Sequence, residues 1–146
     1  MKALLQVVKN AKVTSNGEKL GSINRGLSVF LGVSKDDETK NAKKLAEKII
    51  QLRIFPDEEG KMNLSVQSVD GEILVISQFT LYGKIKSGRR PSFSHAASYD
   101  KAKKLYKHFV SLLRDNTSLT VETGRFGDYM EIELTNDGPV TFMLES

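Results

Sequence analysis

The run Ile73, Leu74, Val75, Ile76 is followed at once by Ser77, Gln78, Phe79 and Thr80. An unbroken row of bulky apolar residues specifies a strand covered on both faces. Hydrogen-bonding side chains at its end each cost about 1 to 3 kcal/mol if left unpaired, so they must meet partners, water or a ligand. Two hydroxyls and an amide there can orient a substrate or a water, while the main-chain N–H groups near Phe79 and Thr80 can face an oxyanion. Phe79 itself reads first as a core residue. A second unusual run is NDGPVT, Asn136 to Thr141. It reads as a hairpin connection between two strands, yet Gly138 admits unusual backbone angles and Pro139 permits a cis peptide bond. The pair can therefore hold carbonyl groups where an ordinary turn cannot.

Conventional catalytic groups are scarce. The chain has two histidines and no cysteine, which excludes a thiolate nucleophile, a disulfide framework and a cysteine-based metal site. His95 reads as a loop residue and His108 as a partly exposed structural residue on a helix. Without a visible base beside it, Thr80 is expected to orient rather than attack. No GxSxG elbow, HExxH helix or P-loop is present, and GEKLGSINRG does not join a strand to a helix N-terminus. No metal and no cofactor is expected. The 22 Lys and Arg against 18 Asp and Glu give a net charge of +4. Those charges gather: Lys84, Lys86, Arg89 and Arg90 follow the polar strand end, and Lys101, Lys103, Lys104 and Lys107 come soon after. A phosphate-bearing substrate is the partner such a cluster suits.

The elements that must position these groups follow from periodicity. Leu4 to Thr14 and Glu18 to Ile23 read as strands joined by a tight Asn16-Gly17 turn, and Gly26 to Val33 as a third strand. Asp36 or Asp37 is expected to cap a helix that buries Ala42, Leu45, Ala46 and Ile49 and ends near Leu52. A strand from Glu72 to Leu81 follows a turn-rich stretch. Ser98 is expected to cap a second helix with an apolar stripe of Ala102, Leu105, Tyr106, Phe109, Leu112 and Leu113. Strands over Leu119 to Thr123, Tyr129 to Thr135 and Val140 to Leu144 close the chain. The order argues a single α/β domain over residues 1–146, with helices packed on mixed sheet. The charged N-terminus and the lack of a long apolar run point to a cytoplasmic protein that does not enter a membrane.

SQFTL at Ser77 to Leu81, taken with NDGPVT, resembles the motif pair of the D-aminoacyl-tRNA deacylases. KMNLSV at Lys61 to Val66, RRPSF at Arg89 to Phe93 and TGRF at Thr123 to Phe126 are also similar to that family, in the expected order. The resemblance implies a homodimeric α/β/β enzyme with two main helices. It implies hydrolysis, without metal, of the ester joining a D-amino acid or glycine to tRNA. Ser77, Gln78, Phe79 and Thr80 would be the catalytic segment; Gly138 and Pro139, as a cis peptide entering the partner subunit's pocket, would select chirality together with Met130, Phe126 and Ala102. Lys84, Lys86, Arg89 and Arg90 would bind the tRNA, and no DNA partner is expected. The chain departs from the family at Val7, where an Arg commonly follows the first-strand Gln and would anchor the Gly-Pro segment. A non-catalytic tRNA-binding module, a general small-molecule esterase and a deacylase editing L-amino acids are the rival readings.

Overall fold

The computed structural model describes residues 1–85 and 89–146. Strands β2 (Glu18–Ile23) and β3 (Gly26–Gly32) both pair antiparallel with β1 (Lys2–Ser15), β2 along its C-terminal half after a turn at Asn16 and Gly17, both at positive φ, and β3 along its N-terminal half. Helix α1 (Thr39–Gln51) follows, then the short pair β4 (Phe55–Pro56) and β5 (Met62–Leu64). Strand β6 (Glu72–Ser77) pairs parallel with β3, and after α2 (Tyr99–Asn116) strand β7 (Val121–Thr123) pairs parallel with β6. The long strand β8 (Glu131–Glu145) returns antiparallel along β1. The sheet is thus mixed, ordered β2-β1-β3-β6-β7 with β8 also paired to β1.

Alternation along β6 shows how the layers are held. Ile73 and Val75 face the apolar sides of α1 and α2, among Leu45, Ile49, Leu105 and Phe109. Leu74 and Ile76 face the other way, onto Val8, Ala11, Val13 and Ile23 from the far half of β1 and from β2, with Ile132 and Leu134 of β8 at the margin. One face of the sheet therefore carries the helices, and the other is covered by the sheet's own folded-over end. Period-2 burial on both sides explains why the sequence shows a solid apolar run at Ile73–Ile76 rather than alternation.

Several local expectations change. The N-cap of α1 is Glu38, closed by a capping box with Asn41, because Asp37 is drawn elsewhere: its buried carboxylate accepts from the Met1 ammonium at 2.6 Å and from the Ser34 N–H at 2.6 Å. Burial and that neighbouring carboxylate push the Tyr82 phenol above its ordinary range. Ser98 does precede α2, but its carbonyl rather than its side chain bonds the first turn, through Ala102 N–H. The strand expected to run to Leu81 stops at Ser77. The two strands expected after Tyr129 are one, so Asn136–Thr141 is not a hairpin. Both flanks pair with β1 in the same direction, Asn136 against Val8 and Thr141 against Gln6, leaving Asp137, Gly138, Pro139 and Val140 as a bulge opposite Val7. Among the described residues no helix is long and apolar enough to cross a membrane.

Candidate functional site

The polar strand end becomes a site because the backbone turns there. Gln78 N–H bonds the Leu31 carbonyl at 2.8 Å, and the chain then winds into a 3-10 turn over Phe79–Tyr82. Gly32 allows this close return: a Cβ on it would stand 3.0 Å from the Gln78 carbonyl oxygen and 3.2 Å from Leu81 Cβ. The first amides of a helical turn have no carbonyl behind them to bond, so Phe79 N–H and Thr80 N–H open the turn as donors. The Gln78 side-chain amide donates to Thr80 Oγ1. That bond uses the hydroxyl as an acceptor and leaves its hydrogen for a further acceptor.

Beside this turn lies a cavity of about 550 Å³. Ser77, Gln78, Phe79 and Thr80 form one wall; Phe126, Met130 and Ala102 belong to the others. All seven sit in one place although they come from β6, the turn that follows it, α2 and the segment after β7. More of the lining comes from residues the sequence does not single out: Ala96 and Ala97 before α2, Tyr99 at its start, and Gly127, Asp128 and Tyr129 after Phe126. Tyr99 meets Phe126 edge-on with centroids 5.3 Å apart, and the Tyr106 ring lies 5.4 Å from that of Phe126. Phe126 is thereby fixed as an apolar wall. The buried Tyr106 hydroxyl donates to the Val75 carbonyl at 2.8 Å, and burial raises its pKa. Asp128 accepts from Ser15 Oγ at 3.2 Å and pairs with Arg125 at 3.3 Å, while Arg125 also reaches Glu18 at 2.9 Å. These bonds tie the TGRF turn to the β1–β2 hairpin and set the Met130 side of the cavity.

Phe79 departs from the core reading. It is 58% exposed and stacks edge-on against Phe93 of the RRPSF segment, centroids 4.9 Å apart. The 3-10 turn rotates it out of the sheet's alternation, which a continued strand would have kept.

Gly138 and Pro139 do not line this cavity. They are joined by a cis peptide and stand exposed on the β8 bulge, whose residues take no register partner on β1. Asn136 brackets the bulge: its Oδ1 accepts from Val140 N–H at 3.2 Å and its Nδ2 donates to the Val140 carbonyl at 3.3 Å. Gln6 Nε2 reaches Thr141 Oγ1 at 3.4 Å. Val7, where the resemblance leads to the expectation of an arginine, is buried in the core opposite the bulge. The anchor is therefore a side-chain amide mimicking a backbone pair, a role its place at the start of the Gly-Pro run hints at only once the bulge is known.

Lys84 and His95 meet at 2.6 Å between Nζ and Nε2, and a backbone bridge joins Lys84 to Ser92. Arg89 and Arg90 are exposed, and Lys86 lies outside the described residues. Lys84 is thus held beside the RRPSF segment, and none of Lys84, Arg89 and Arg90 lines the cavity. His108 is half-buried on α2 and does not line the cavity. Among the described residues no group of three or more histidine or carboxylate side chains is gathered as metal ligands.

A family model described as D-Tyr-tRNA(Tyr) deacylase matches residues 4–145. D-aminoacyl-tRNA deacylases of Thermosipho africanus and Thermotoga petrophila are 57% and 54% identical to the chain over 146 residues, covering all of it and 97% of each relative. A solved structure described as c-Myc DNA Unwinding Element Binding Protein is similar with a TM-score of 0.95 at 41% identity, over 100% of this chain and 99% of that one. A probable eukaryotic D-amino acid tRNA deacylase shares the fold, with a TM-score of 0.84 at 18% identity over 99% of this chain and 98% of its own.

Proposed function

The chain belongs to the D-Tyr-tRNA(Tyr) deacylase family, ester-bond hydrolases, and on that premise we propose how its residues remove D-amino acids, and glycine, from tRNA. The observation that carries the reading is the convergence of Ser77, Gln78, Phe79 and Thr80 with Ala102, Phe126 and Met130 around one cavity. An aminoacyl ester is already activated, so positioning and oxyanion stabilisation supply most of what hydrolysis needs. The ester carbonyl oxygen points at Phe79 N–H and Thr80 N–H. As water attacks, charge builds on that oxygen and the two donors stabilise it. The Thr80 hydroxyl, held by Gln78, donates its free hydrogen to the attacking water or to the terminal ribose hydroxyl. Departure of the ribose oxygen with a proton then releases free amino acid and tRNA. Phe126, Met130 and Ala102 shape the apolar space around the terminal nucleoside.

Chirality is read by Gly138 and Pro139 of a second copy. Gly138 and Pro139 are exposed, sit on a bulge without register partners on β1 and are absent from their own chain's cavity, which supports delivery to a neighbour's. Backbone carbonyls aimed at the substrate's amino group fill the space an L side chain requires, and glycine has no side chain to exclude. The active form is therefore a homodimer, a single domain per subunit, working in the cytoplasm. Lys84, Arg89 and Arg90, with Lys86 of the same loop, contact the tRNA backbone.

A non-catalytic nucleic-acid module is the second reading, favoured by the similar structure described for binding a DNA unwinding element. Rapid-quench assays on D-tyrosyl-tRNA separate the two. We expect ester loss by the native protein, and in Thr80→Ala a rate lower by roughly 5- to 150-fold, the equivalent of one positioned hydrogen bond of about 1 to 3 kcal/mol. Binding without ester loss would establish the module, and a covalent acyl adduct on Thr80 would replace the orienting role by a nucleophilic one.

A further inference from the structure

On the far side of Phe126 a second groove, of about 580 Å³, runs between α2 and the Arg125 turn. Phe126 lines both this groove and the cavity described above, so the two share a wall. The groove is basic: Lys103, Lys107, Arg114 and Arg125 line it, with Asp115 as the carboxylate. Most of these charges are engaged. Arg114 donates to the Val121 carbonyl at 2.8 Å, Arg125 pairs with Glu18 and Asp128, and Asp115 accepts from Ser111 at 2.9 Å. Lys103 and Lys107 differ, since among the described residues neither is in an ion pair. They stand one helical turn apart on one side of α2. The Lys103 ammonium lies 5.5 Å from the ring centroid of Tyr99, itself part of the cavity wall.

Unpaired lysines on a helix are ordinarily a solvated face. Here they line a concavity that adjoins a site for the 3′ end of a polyanion, and the chain leading away from that end must pass over one of the cavity's rims. We infer that this groove is a phosphate-binding track for the single-stranded 3′ segment of the RNA, with Lys103 and Lys107 as its principal contacts. The inference rests on the function proposed above and adds to it a binding surface separate from the loop of Lys84, Arg89 and Arg90. Two ammonium groups a helical turn apart suit successive phosphodiesters, and Tyr99 beside Lys103 offers a face on which a base can stack.

The test titrates an uncharged RNA minihelix with a single-stranded 3′ tail against the native protein, the pair variant Lys103→Glu/Lys107→Glu, and a control pair Lys44→Glu/Lys48→Glu. The control makes the same charge change on exposed positions of α1. The groove variant should bind about tenfold or more weakly at about 50 mM salt, with the slope of log affinity against log salt smaller by roughly 1 to 2, and the control should stay within about twofold of native. Hydrolysis of D-tyrosyl adenosine, which carries no phosphate, should be unchanged in the groove variant while hydrolysis of D-tyrosyl-tRNA falls. Equal losses in both pairs, no loss in either, or equal loss on both esters would overturn the inference. Failure of the deacylase reading looks different: the native protein would cleave neither ester, and the minihelix titration would still report on the groove.

Discussion

Gly138→Ala should leave a folded protein that has lost at least about 100-fold in kcat/KM on D-tyrosyl-tRNA. Gly138 sits at φ +134, where L side chains rarely fit. A methyl group there would stand 2.5 Å from Val140 Cγ2 and 2.6 Å from the Val140 nitrogen, distances that real Cβ atoms essentially never show. The closest atoms belong to the bulge itself, so the bulge must change shape. Val140 N–H is the group that Asn136 holds, and its displacement loosens the amide bracket as well. A displacement of about 1 Å in a positioning group can cost about 100-fold in rate, even away from the bond being broken. Because Gly138 and Pro139 are exposed and only Val140 of the bulge packs against the core, the cooperative urea transition should move little. Activity within a few-fold of native, at unchanged stability, would remove Gly138 from the site.

Asp37→Ala should have the opposite profile, a large loss of stability at a position with no part in the cavity. Asp37 is 5% exposed, and its carboxylate is the partner of an ammonium that is fully buried. Removing Asp37 takes the carboxylate from a buried ammonium whose remaining acceptors are the Ser146 carbonyl at 3.0 Å and hydroxyl at 3.2 Å, and breaking a buried pair typically costs about 3 to 5 kcal/mol. The Ser34 N–H loses its acceptor in the same step. Urea denaturation at neutral pH measures this directly: the midpoint should fall steeply while the slope stays that of the native protein. A shift equivalent to less than about 1 kcal/mol would place the pair with exposed ion pairs, which contribute little.

The part of this architecture that a sequence can carry is the part set by neighbours along the chain. The buried run at Ile73–Ile76, the Asn16-Gly17 turn and the apolar stripes of α1 and α2 all follow from local period and residue type. The polar end of β6 is equally legible as an anomaly, because hydrogen-bonding groups after a buried run require a reason. Its shape is not. Phe79, Thr80 and Tyr82 favour extended backbone by type, and the Leu31 carbonyl and the open side of Gly32, brought in by β3, turn the segment into a 3-10 helix. The same is true of Asn136–Thr141. A hairpin and a bulge have the same composition, and they differ only in whether the flanks pair with each other or with β1. Asp37 illustrates the competition plainly: as an N-cap it is a good local choice, but an ammonium 36 residues away outcompetes the helix, and Glu38 caps instead. Tyr99, Asp128 and Tyr129 escape a reading of the sequence because they reach the cavity from segments whose paths depend on α2 and on the Arg125 ion pairs.

In the proposed mechanism stereochemistry is read by backbone rather than by side-chain recognition. The direct measurement is the initial rate of ester loss from matched D-tyrosyl-tRNA and L-tyrosyl-tRNA, identical in tRNA and concentration. The native protein should clear the D ester while the L ester decays no faster than in buffer alone. Equal hydrolysis of the two would contradict exclusion by Gly138 and Pro139, and with it the role of the bulge in chiral selection.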